Sequence, residues 1–341
     1  MIRDNELNIR FAGKDDIPVI RTMADVVFRR TYKEILSPGQ MEYMMDMMYS
    51  EESLAQQVAG AGKWFCIAEL DGTPAAYVSY EREGAHPDGR PLYHLQKLYV
   101  LPEYQRRHVG SGMLGFVTDH LRAENPGGFR VELNVNRNNP AVSFYEHAGM
   151  VRDRSGDFPI GSGFYMNDHI YAFDFFAGGK SVRRACLDDI PRIMEVCDDA
   201  RRTMRSDGNM KQWTGGYPSE EVIRADIDRK CGFVIAEGDS VAGYFAFIPG
   251  IEDSYLKIEG GRWLDDSAPY CTVHRLAGAA GSRGIAETCF GWCLMRCRNL
   301  RVDTHEDNRI MRHCIGKAGF RYCGIIHLPG GDPRLAYQKI E

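Results

Sequence analysis

The sequence predicts an α/β (α+β) fold present twice in tandem, each copy a mixed, mostly antiparallel sheet flanked by helices. The chain has 341 residues, which suits two domains with separate cores better than one. Strand-like and helix-like segments alternate through both halves. Three features also recur in the same order, namely residues 9–20 in 182–193, residues 67–77 in 235–244, and the Asn138 to Gly149 spacing in Asn308 to Gly319. A repeat of this length indicates two copies of one domain.

The repeat sets the expected domain boundaries. The glycine-rich stretch FFAGGKS, residues 175–181, is the only junction of this composition at the right place. We therefore expect a first domain over residues 1–176, a linker over 177–181 and a second domain over 182–341.

Each copy is predicted to begin with a short strand followed by a DDIP turn that starts a helix. Asp15 and Asp188 are the expected N-caps of these helices. Two or three alternating strands should follow, then a strand, turn, helix, strand and helix block, and finally closing strands. In the first copy the closing strands are expected around residues 163–175.

The block in the first copy carries the clearest functional signal. A strand over residues 94–100 leads into a glycine-containing turn at 101–112 and a helix that ends at Glu124. A second strand over 131–136 precedes a helix over 138–150. Backbone amides at a turn that enters a helix form a binding site for anions. We interpret this turn as a pyrophosphate site.

Composition narrows the possible partners. The net charge is −5, which predicts neither a nucleic-acid surface nor a polybasic membrane anchor. The N-terminus is charged, and no apolar run reaches about 18 residues. These features predict a cytoplasmic protein whose partners are small molecules.

The ten cysteines show no CxxC pair, as expected of reduced thiols. Cys289, Cys293 and Cys297 share one helical face, and this stripe is interpreted as packing. No metal site is predicted.

The order of elements, a QxxGxG/A-like turn after a strand and an Asn-to-Tyr helix after the next strand together resemble the GNAT acetyltransferases, in both halves though unequally. The resemblance implies acetyl-CoA as cosubstrate and turn amides that hold its pyrophosphate. It also implies that the preceding strand splays from its neighbour at a bulge, so that pantetheine pairs with the strand backbone. A tyrosine would protonate the departing thiolate.

The family turn is matched in two registers. The preferred one runs from Gln105 to Gly110 and has His108 where the family has its central glycine; the other runs from Arg107 to Gly112. Histidine is awkward where backbone must approach a phosphate closely. The resemblance assigns the cofactor to residues on the strand, the turn and the second helix, namely Leu98, Tyr99, Val100, Gln105, Arg106, Arg107, His108, Val109, Gly110, Ser111 and Asn138.

By the same resemblance, Tyr145 is the general acid, seven residues after Asn138, with packing beneath the sheet as the alternative. A primary amine with a pKa of about 10 must lose a proton before it reacts. Candidate bases are His94, Gln96 and Glu132, although His94 could be structural and Glu132 an ordinary solvent-facing residue. A backbone amide near Leu98 or Tyr99 would stabilise the oxyanion.

One stretch suggests the acceptor. Residues 34–62 contain five acidic residues and no lysine or arginine, interleaved with tyrosines and methionines. The resemblance places the acceptor wall here and points to its polyamine branch. Acidic groups with aromatic and thioether surface suit a cationic amine such as a polyamine. The alternative is a solvated helix face backed by a methionine-rich packing face.

The second copy keeps Gly284, Ala286 and Asn308 at the matching cofactor positions, but Ile315 stands where the tyrosine acid should be. It is either an enzyme with another acid, for example His305, or a degenerate copy that binds a ligand or supports the first. The leading hypothesis is an acetyl-CoA-dependent N-acetyltransferase acting on a small-molecule amine, with the first copy as the catalyst. The alternative is a non-catalytic acyl-CoA or small-molecule sensor. The sequence does not indicate an oligomeric state.

Overall fold

The computed structural model describes residues 7–341. The charged N-terminal stretch used above falls mainly in residues 1–6, outside the described part. The chain separates into two compact units, the first ending at Ala177 and the second spanning Gly178–Glu341. Within residues 7–341, no helix has both the length and the apolar character needed to cross a bilayer.

The first unit contains seven strands and five helices among its described residues. The strands are β1 (Leu7–Phe11), β2 (Lys63–Leu70), β3 (Thr73–Ala85), β4 (Pro91–Val100), β5 (Gly128–Asn136), β6 (Val151–Gly161) and β7 (Phe164–Phe176). The helices are α1 (Ile17–Tyr32), α2 (Pro38–Tyr49), α3 (Glu51–Ala59), α4 (Val109–Glu124) and α5 (Ala141–His147).

The sheet of this unit has the strand order β1-β2-β3-β4-β5-β7-β6. Every neighbouring pair is antiparallel except β4 and β5. A parallel pair needs a crossover connection, and α4 supplies it. The mixed, mostly antiparallel sheet predicted from the sequence is confirmed.

Two apolar cores lie on the two faces of this sheet. Alternation along β2 and β3 sends Ile67 and Tyr77 to the face covered by α1, α2 and α3. It sends Cys66 and Val78 to the face covered by α4 and α5. The central strands are therefore buried on both sides, and the parallel pair β4 and β5 lies in the middle of the unit.

The predicted helix caps need a correction. A short 3₁₀ turn, Lys14–Asp16, precedes α1, so the helix begins one residue later than the pattern suggested. The Asp16 carboxylate accepts from the Gly13 amide at 2.8 Å and pairs with Arg10 at 2.7 Å. In the second unit Asp189 binds Arg183 in the same way. The predicted N-caps Asp15 and Asp188 are wrong by one residue.

The second unit has the same order of strands. They are β8 (Lys180–Arg184), β9 (Gly232–Glu237), β10 (Ser240–Pro249), β11 (Cys271–Gly278), β12 (Asn299–Thr304), β13 (Arg321–His327) and β14 (Pro333–Ile340). The helices are α6 (Ile190–Ser206), α7 (Glu220–Asp228), α8 (Ile285–Leu294) and α9 (Arg309–Lys317). Within the unit the order is β8-β9-β10-β11-β12-β14-β13, and only β11 and β12 are parallel.

Candidate active site

A gap opens between the two parallel strands of the first unit. β4 and β5 pair at three positions only, Leu92 with Arg130, Tyr93 with Val131 and His94 with Glu132. Beyond His94, β4 continues to Val100 beside β3, with a register shift that leaves Gln96 as an extra residue. A bulge bends and twists its strand. The free edge of β4 along Leu98, Tyr99 and Val100 therefore faces the gap.

The turn after β4 presents backbone amides at one end of this gap. His108 adopts a left-handed conformation, with φ 60° and ψ 7°, immediately before α4. The first helical hydrogen bond runs from the Gly112 amide to the His108 carbonyl. The amides of Val109, Gly110 and Ser111 precede that bond and are available to an anion. This geometry fits the pyrophosphate predicted for the turn.

The left-handed conformation of His108 indicates which of the two predicted registers the turn adopts. His108 occupies the place of the central glycine in the register from Gln105 to Gly110. The Gln105 side chain donates to the Val100 carbonyl at 3.1 Å and ties the turn to the end of β4. Arg106 and Arg107 are exposed beside these amides. A Cβ on Gly112 would lie 2.7 Å from Leu7 Cδ2, so this glycine allows α4 to pack on β1.

Tyr145 on α5 lies on the other side of the gap and is buried. Burial is the main cause of its raised pKa, and Tyr32 raises it further. The tyrosine therefore remains protonated at physiological pH, which is the state a proton donor needs. α5 begins at Ala141, whose amide donates to Asn139 Oδ1 at 2.9 Å. Asn138 is exposed and does not begin the helix, contrary to the sequence prediction.

Polar groups collect opposite Tyr145, on the face of the sheet covered by α1. The Tyr32 hydroxyl, at the end of α1, lies close to Tyr99 and to the Asn139 side chain. Asn136 on β5 pairs across the sheet with Asp168 on β7. Asp168 is 4% exposed and has a raised pKa, chiefly because it is desolvated.

Comparison with known proteins decides which family this geometry belongs to. The sequence model of the acetyltransferase (GNAT) family matches residues 28–150, from α1 to the end of the block just described. A solved GNAT-family acetyltransferase from Streptococcus agalactiae is 37% identical, with 48% of this chain and 96% of that chain covered and a TM-score of 0.45. The chain belongs to the GNAT acetyltransferase family. It is an N-acetyltransferase, and acetyl-CoA is its cosubstrate.

Two further relatives resemble about half of the chain. A probable N-acetyltransferase of Mycobacterium tuberculosis is 28% identical over 150 residues, which are 42% of this chain and 80% of that protein. The PaiA N-acetyltransferase of Thermoplasma acidophilum, solved in complex with coenzyme A, is 21% identical. It covers 49% of this chain and 98% of its own, with a TM-score of 0.41.

Two candidate bases of this GNAT protein, His94 and Glu132, lie where β4 and β5 still pair, at the closed end of the gap, and Gln96 lies just beyond it. Glu132 accepts from Arg130 Nε at 2.8 Å and from Arg154 Nη2 at 2.8 Å. These arginines outweigh burial and lower the pKa of its carboxyl. A carboxylate held by two cations is a weak base, so this pairing argues against the role predicted for Glu132.

His94 pairs with Glu132 across the strands, and its Nδ1 lies 3.4 Å from Glu83. The Gln96 side chain donates to Glu81 at 2.6 Å. Both side chains are therefore engaged with residues on β3, and their roles as bases stay predictions.

The acidic stretch predicted to form an acceptor wall is arranged differently from the expectation. Glu42 and Glu51 are exposed, Glu42 is paired with Arg29, and Glu51 lies 3.9 Å from Arg21. The methionines at the opposite face of α2, Met41, Met44 and Met45, are buried in the core. This arrangement favours the alternative of a solvated face backed by packing methionines, and the role of the stretch as an acceptor wall stays a prediction.

A buried lysine also lies on the α1 face of β4. Lys97 Nζ donates to Gln57 Oε1 at 2.6 Å and lies 5.7 Å from the ring centre of Tyr49. Burial lowers the pKa of Lys97 to about 8. Lys97 was not predicted from the sequence as a site residue, and neither were Tyr32, Asn139 and Asp168.

A sequence signal for Asp168 existed. Met166, Asp168 and Ile170 alternate toward one face of β7, and all three are buried. A charge at an inward position of an apolar alternation is unusual unless it is paired or functional.

The second unit repeats the gap but changes the side chains around it. β11 and β12 pair at three positions. Gly284, immediately before α8, has φ 72° and ψ 10°, and these dihedral angles are similar to those of His108 in the first unit. Ala286 follows in the first turn of α8. Ile315 is fully buried where the tyrosine acid would stand.

The polar candidates of the second unit hold its loops. Asn308 caps α9 by accepting from the Met311 amide at 3.0 Å. His305 Nδ1 accepts from the Asp307 amide at 3.1 Å. These contacts give both residues structural roles, and the role of His305 as an acid stays a prediction.

Proposed function

We propose that the first unit transfers the acetyl group of acetyl-CoA directly to the primary amine of a small cationic, polyamine-like acceptor, within a ternary complex. The observation that carries this proposal is the β4–β5 gap, which has the His108 turn at one end and Tyr145 beside it. The acidic residues in 34–62 support a cationic acceptor, because their negative electrostatic potential attracts cations. This attraction does not require direct contact, and the carboxylates of the stretch lie on the solvent side.

The residues around the gap have different roles in the reaction. The amides of Val109, Gly110 and Ser111 bind the pyrophosphate, with Arg106 and Arg107 adding positive charge. The free edge of β4 pairs with the pantetheine arm, and an amide near Leu98 or Tyr99 donates to the developing oxyanion. Tyr145 gives its proton to the thiolate that leaves.

Steady-state kinetics test the proposal. Thiol release from acetyl-CoA should be stimulated by spermidine and spermine more than by an aminoglycoside, and mass spectrometry should find the acetylated amine. With both substrates varied, direct transfer predicts intersecting reciprocal plots. Parallel plots would indicate an acetylated enzyme instead. Equal rates with all three amines would contradict the polyamine-like class, and no stimulation by any amine would contradict the function.

One observation favours a second candidate function for the second unit. It combines the left-handed Gly284 and a splayed strand pair with a buried Ile315 in place of the acid. We propose that this unit binds an acyl-CoA without transferring its acyl group. Calorimetry of the whole chain with acetyl-CoA should then report two sites, and one site would contradict this second function.

A further inference from the structure

Asp168 stands out among the buried carboxylates of the first unit. It lies on β7, is 4% exposed, and faces Asn136 across the sheet. Its Oδ2 accepts from Asn134 Nδ2 at 3.4 Å, which is a long and weak bond. Its Oδ1 is buried and has no hydrogen-bond partner among the described residues.

The other buried carboxylates nearby have arginine partners. Glu132 is held by Arg130 and Arg154, and Asp174 on the same strand as Asp168 lies 3.0 Å from both Arg90 and Arg130. A buried carboxylate without a cation costs free energy in the isolated protein. Proteins usually retain an unpaired buried carboxylate at a functional site, where a ligand supplies the positive charge.

The charged and titratable groups that face Asp168 are few. Tyr32 approaches it from α1, and Arg137 approaches from the loop after β5. Arg137 is already paired with Asp157 at 2.9 Å and donates to the Gly156 carbonyl. The site therefore has a negative charge, an aromatic hydroxyl and amide groups, but no cation of its own directed at Oδ1 among the described residues.

The position of Asp168 relates it to the reaction. β7 is the neighbour of β5, which borders the gap, so Asp168 lies about 5 Å from that edge, one strand spacing. Tyr32 lies close to both Asp168 and Tyr99. It also raises the pKa of Tyr145, on the other side of the gap. The acceptor side and the acid side of the site thus meet near Tyr32.

We propose that Asp168 binds the ammonium group of the acceptor through Oδ1 and then takes one proton from it. This inference rests on the proposed N-acetyltransferase function. Asn134 and Asn136 border the carboxylate, and the Tyr32 hydroxyl oxygen is a further acceptor for the ammonium group near it. The sequence offered His94, Gln96 and Glu132 as bases. Asp168 takes this role because no cation among residues 7–341 bonds to its Oδ1.

The ammonium gives one proton to Asp168, and the resulting amine nitrogen forms a bond to the thioester carbon. The carbon–sulfur bond breaks, Tyr145 protonates the thiolate, and the proton lost by the new amide nitrogen restores Tyr145. Asp168 then returns its proton to solvent. The products are an N-acetyl amine, the free thiol of CoA and one proton.

Asp168→Asn tests the proposal in the full chain, with spermidine or spermine as acceptor, whichever gives the higher rate. We expect kcat/KM for the amine to fall by about 100-fold or more, as for loss of a general base. The affinity for acetyl-CoA measured by calorimetry should change by less than about twofold, because the substitution leaves the backbone amides of Val109, Gly110 and Ser111 unchanged. Asp168→Glu should keep part of the activity, since it restores a carboxylate.

The stability of the same variant gives a second readout. Desolvation raises the pKa of Asp168 in the folded state, so its ionised form opposes folding above the unfolded pKa of about 3.9. Asp168→Asn should therefore raise Tm at neutral pH, and this gain should disappear as the pH falls below about 4. A residue with only a structural role would lose stability on substitution.

Matched variants complete the experiment. Asp174→Asn, on the same strand but paired with arginines, should lower Tm. Asp119→Asn, on the exposed face of α4, should leave kcat/KM unchanged. If wild type turns over an amine and Asp168→Asn keeps kcat/KM within about threefold, or lowers Tm, the assignment of Asp168 is wrong. If wild type acetylates no amine, the proposed function fails instead, and the assignment of Asp168 fails with it.

Discussion

His108 adopts a backbone conformation that costs an L-residue about 1–2 kcal/mol relative to glycine. The corresponding residue of the second unit is Gly284, with nearly the same dihedral angles. We expect His108→Gly to raise stability by less than about 1 kcal/mol, because the flexibility of glycine in the unfolded chain offsets part of the gain. The KM for acetyl-CoA should stay within about twofold, since the amides of α4 bind the phosphates.

The matched variant is His108→Val, whose β-branched side chain resists the left-handed region. It should lower Tm and raise the KM for acetyl-CoA. A rise of about tenfold in KM for His108→Gly would mean that the imidazole itself contacts the phosphates. Thermal denaturation and initial rates at varied acetyl-CoA distinguish these outcomes.

Single residues also mark where sequence reasoning stops. His108 was identified because it occupies the central glycine position of the turn pattern. Its left-handed conformation is one that glycine favours at such a position. Asp168 was missed because the alternation of Met166, Asp168 and Ile170 places the carboxylate on a buried face but does not show whether a cation pairs with it. Its significance depends on the absence of a cation at Oδ1, and that follows from strands more than 30 residues apart in sequence, as the bond to Asn134 shows.

At the scale of elements, the pairing of β5 with its neighbours fixes the closed end of the gap. Arg130 is buried and holds Glu132, Asp153 and Asp174 within 3.0 Å. We expect Glu132→Gln to cost about 2 kcal/mol, less than the roughly 3–5 kcal/mol of a fully buried pair, because its partner Arg154 is half-exposed. The pH dependence of kcat/KM should be unchanged, since the two arginines make Glu132 a weak base.

The sign of the stability effect follows from the lowered pKa of Glu132. Its ion pairs stabilise the fold above the unfolded pKa of about 4.3 and lose that contribution as the pH falls through the folded pKa. The difference in Tm between wild type and Glu132→Gln should therefore be largest near neutral pH and smallest in acid. Loss of the acidic limb of the activity profile in Glu132→Gln, which is the fall in rate at low pH as a general base is protonated, would restore Glu132 as the base.

Elements were easier to predict than contacts. Alternation along β5 and the apolar period of α4 are local properties, so their presence and order were predicted correctly. Their last residues, Glu124 and Asn136, were also predicted correctly, but their first residues were not, since α4 begins at Val109, inside the predicted turn, and β5 at Gly128. The methionines of α2 show the limit in another way, because a one-dimensional pattern does not say which face of an amphipathic helix meets the core and which meets a ligand.

At the scale of the whole molecule, two units of the same topology are expected to bind acetyl-CoA unequally and to catalyse unequally. In the second unit the Asp199 carboxylate accepts from the Ala280 amide at 2.8 Å, in the loop before α8. A carboxylate near a phosphate turn opposes anion binding. Calorimetry should therefore find one tighter and one weaker site for acetyl-CoA per chain.

Tyr145→Phe then shows which unit performs the transfer. Only the first unit has the tyrosine, since Ile315 replaces it in the second. We expect kcat of the whole chain to fall by about 100-fold or more, with the two calorimetric sites retained, because the hydroxyl donates a proton and does not hold the phosphates. Its loss should also lower Tm only slightly, as the Tyr145 ring remains packed.

The control for this experiment is Tyr165→Phe, at an exposed tyrosine on β7, which should keep full activity. If Tyr145→Phe kept about half of the wild-type rate, the second unit would be an enzyme with a different acid, and His305→Gln would then be expected to remove the remaining rate. If instead the rate fell and one calorimetric site disappeared, Tyr145 would be needed for binding. Full loss of turnover with both sites present is the outcome required of one catalytic and one binding unit, because proton donation and phosphate binding reside in different groups of the same fold.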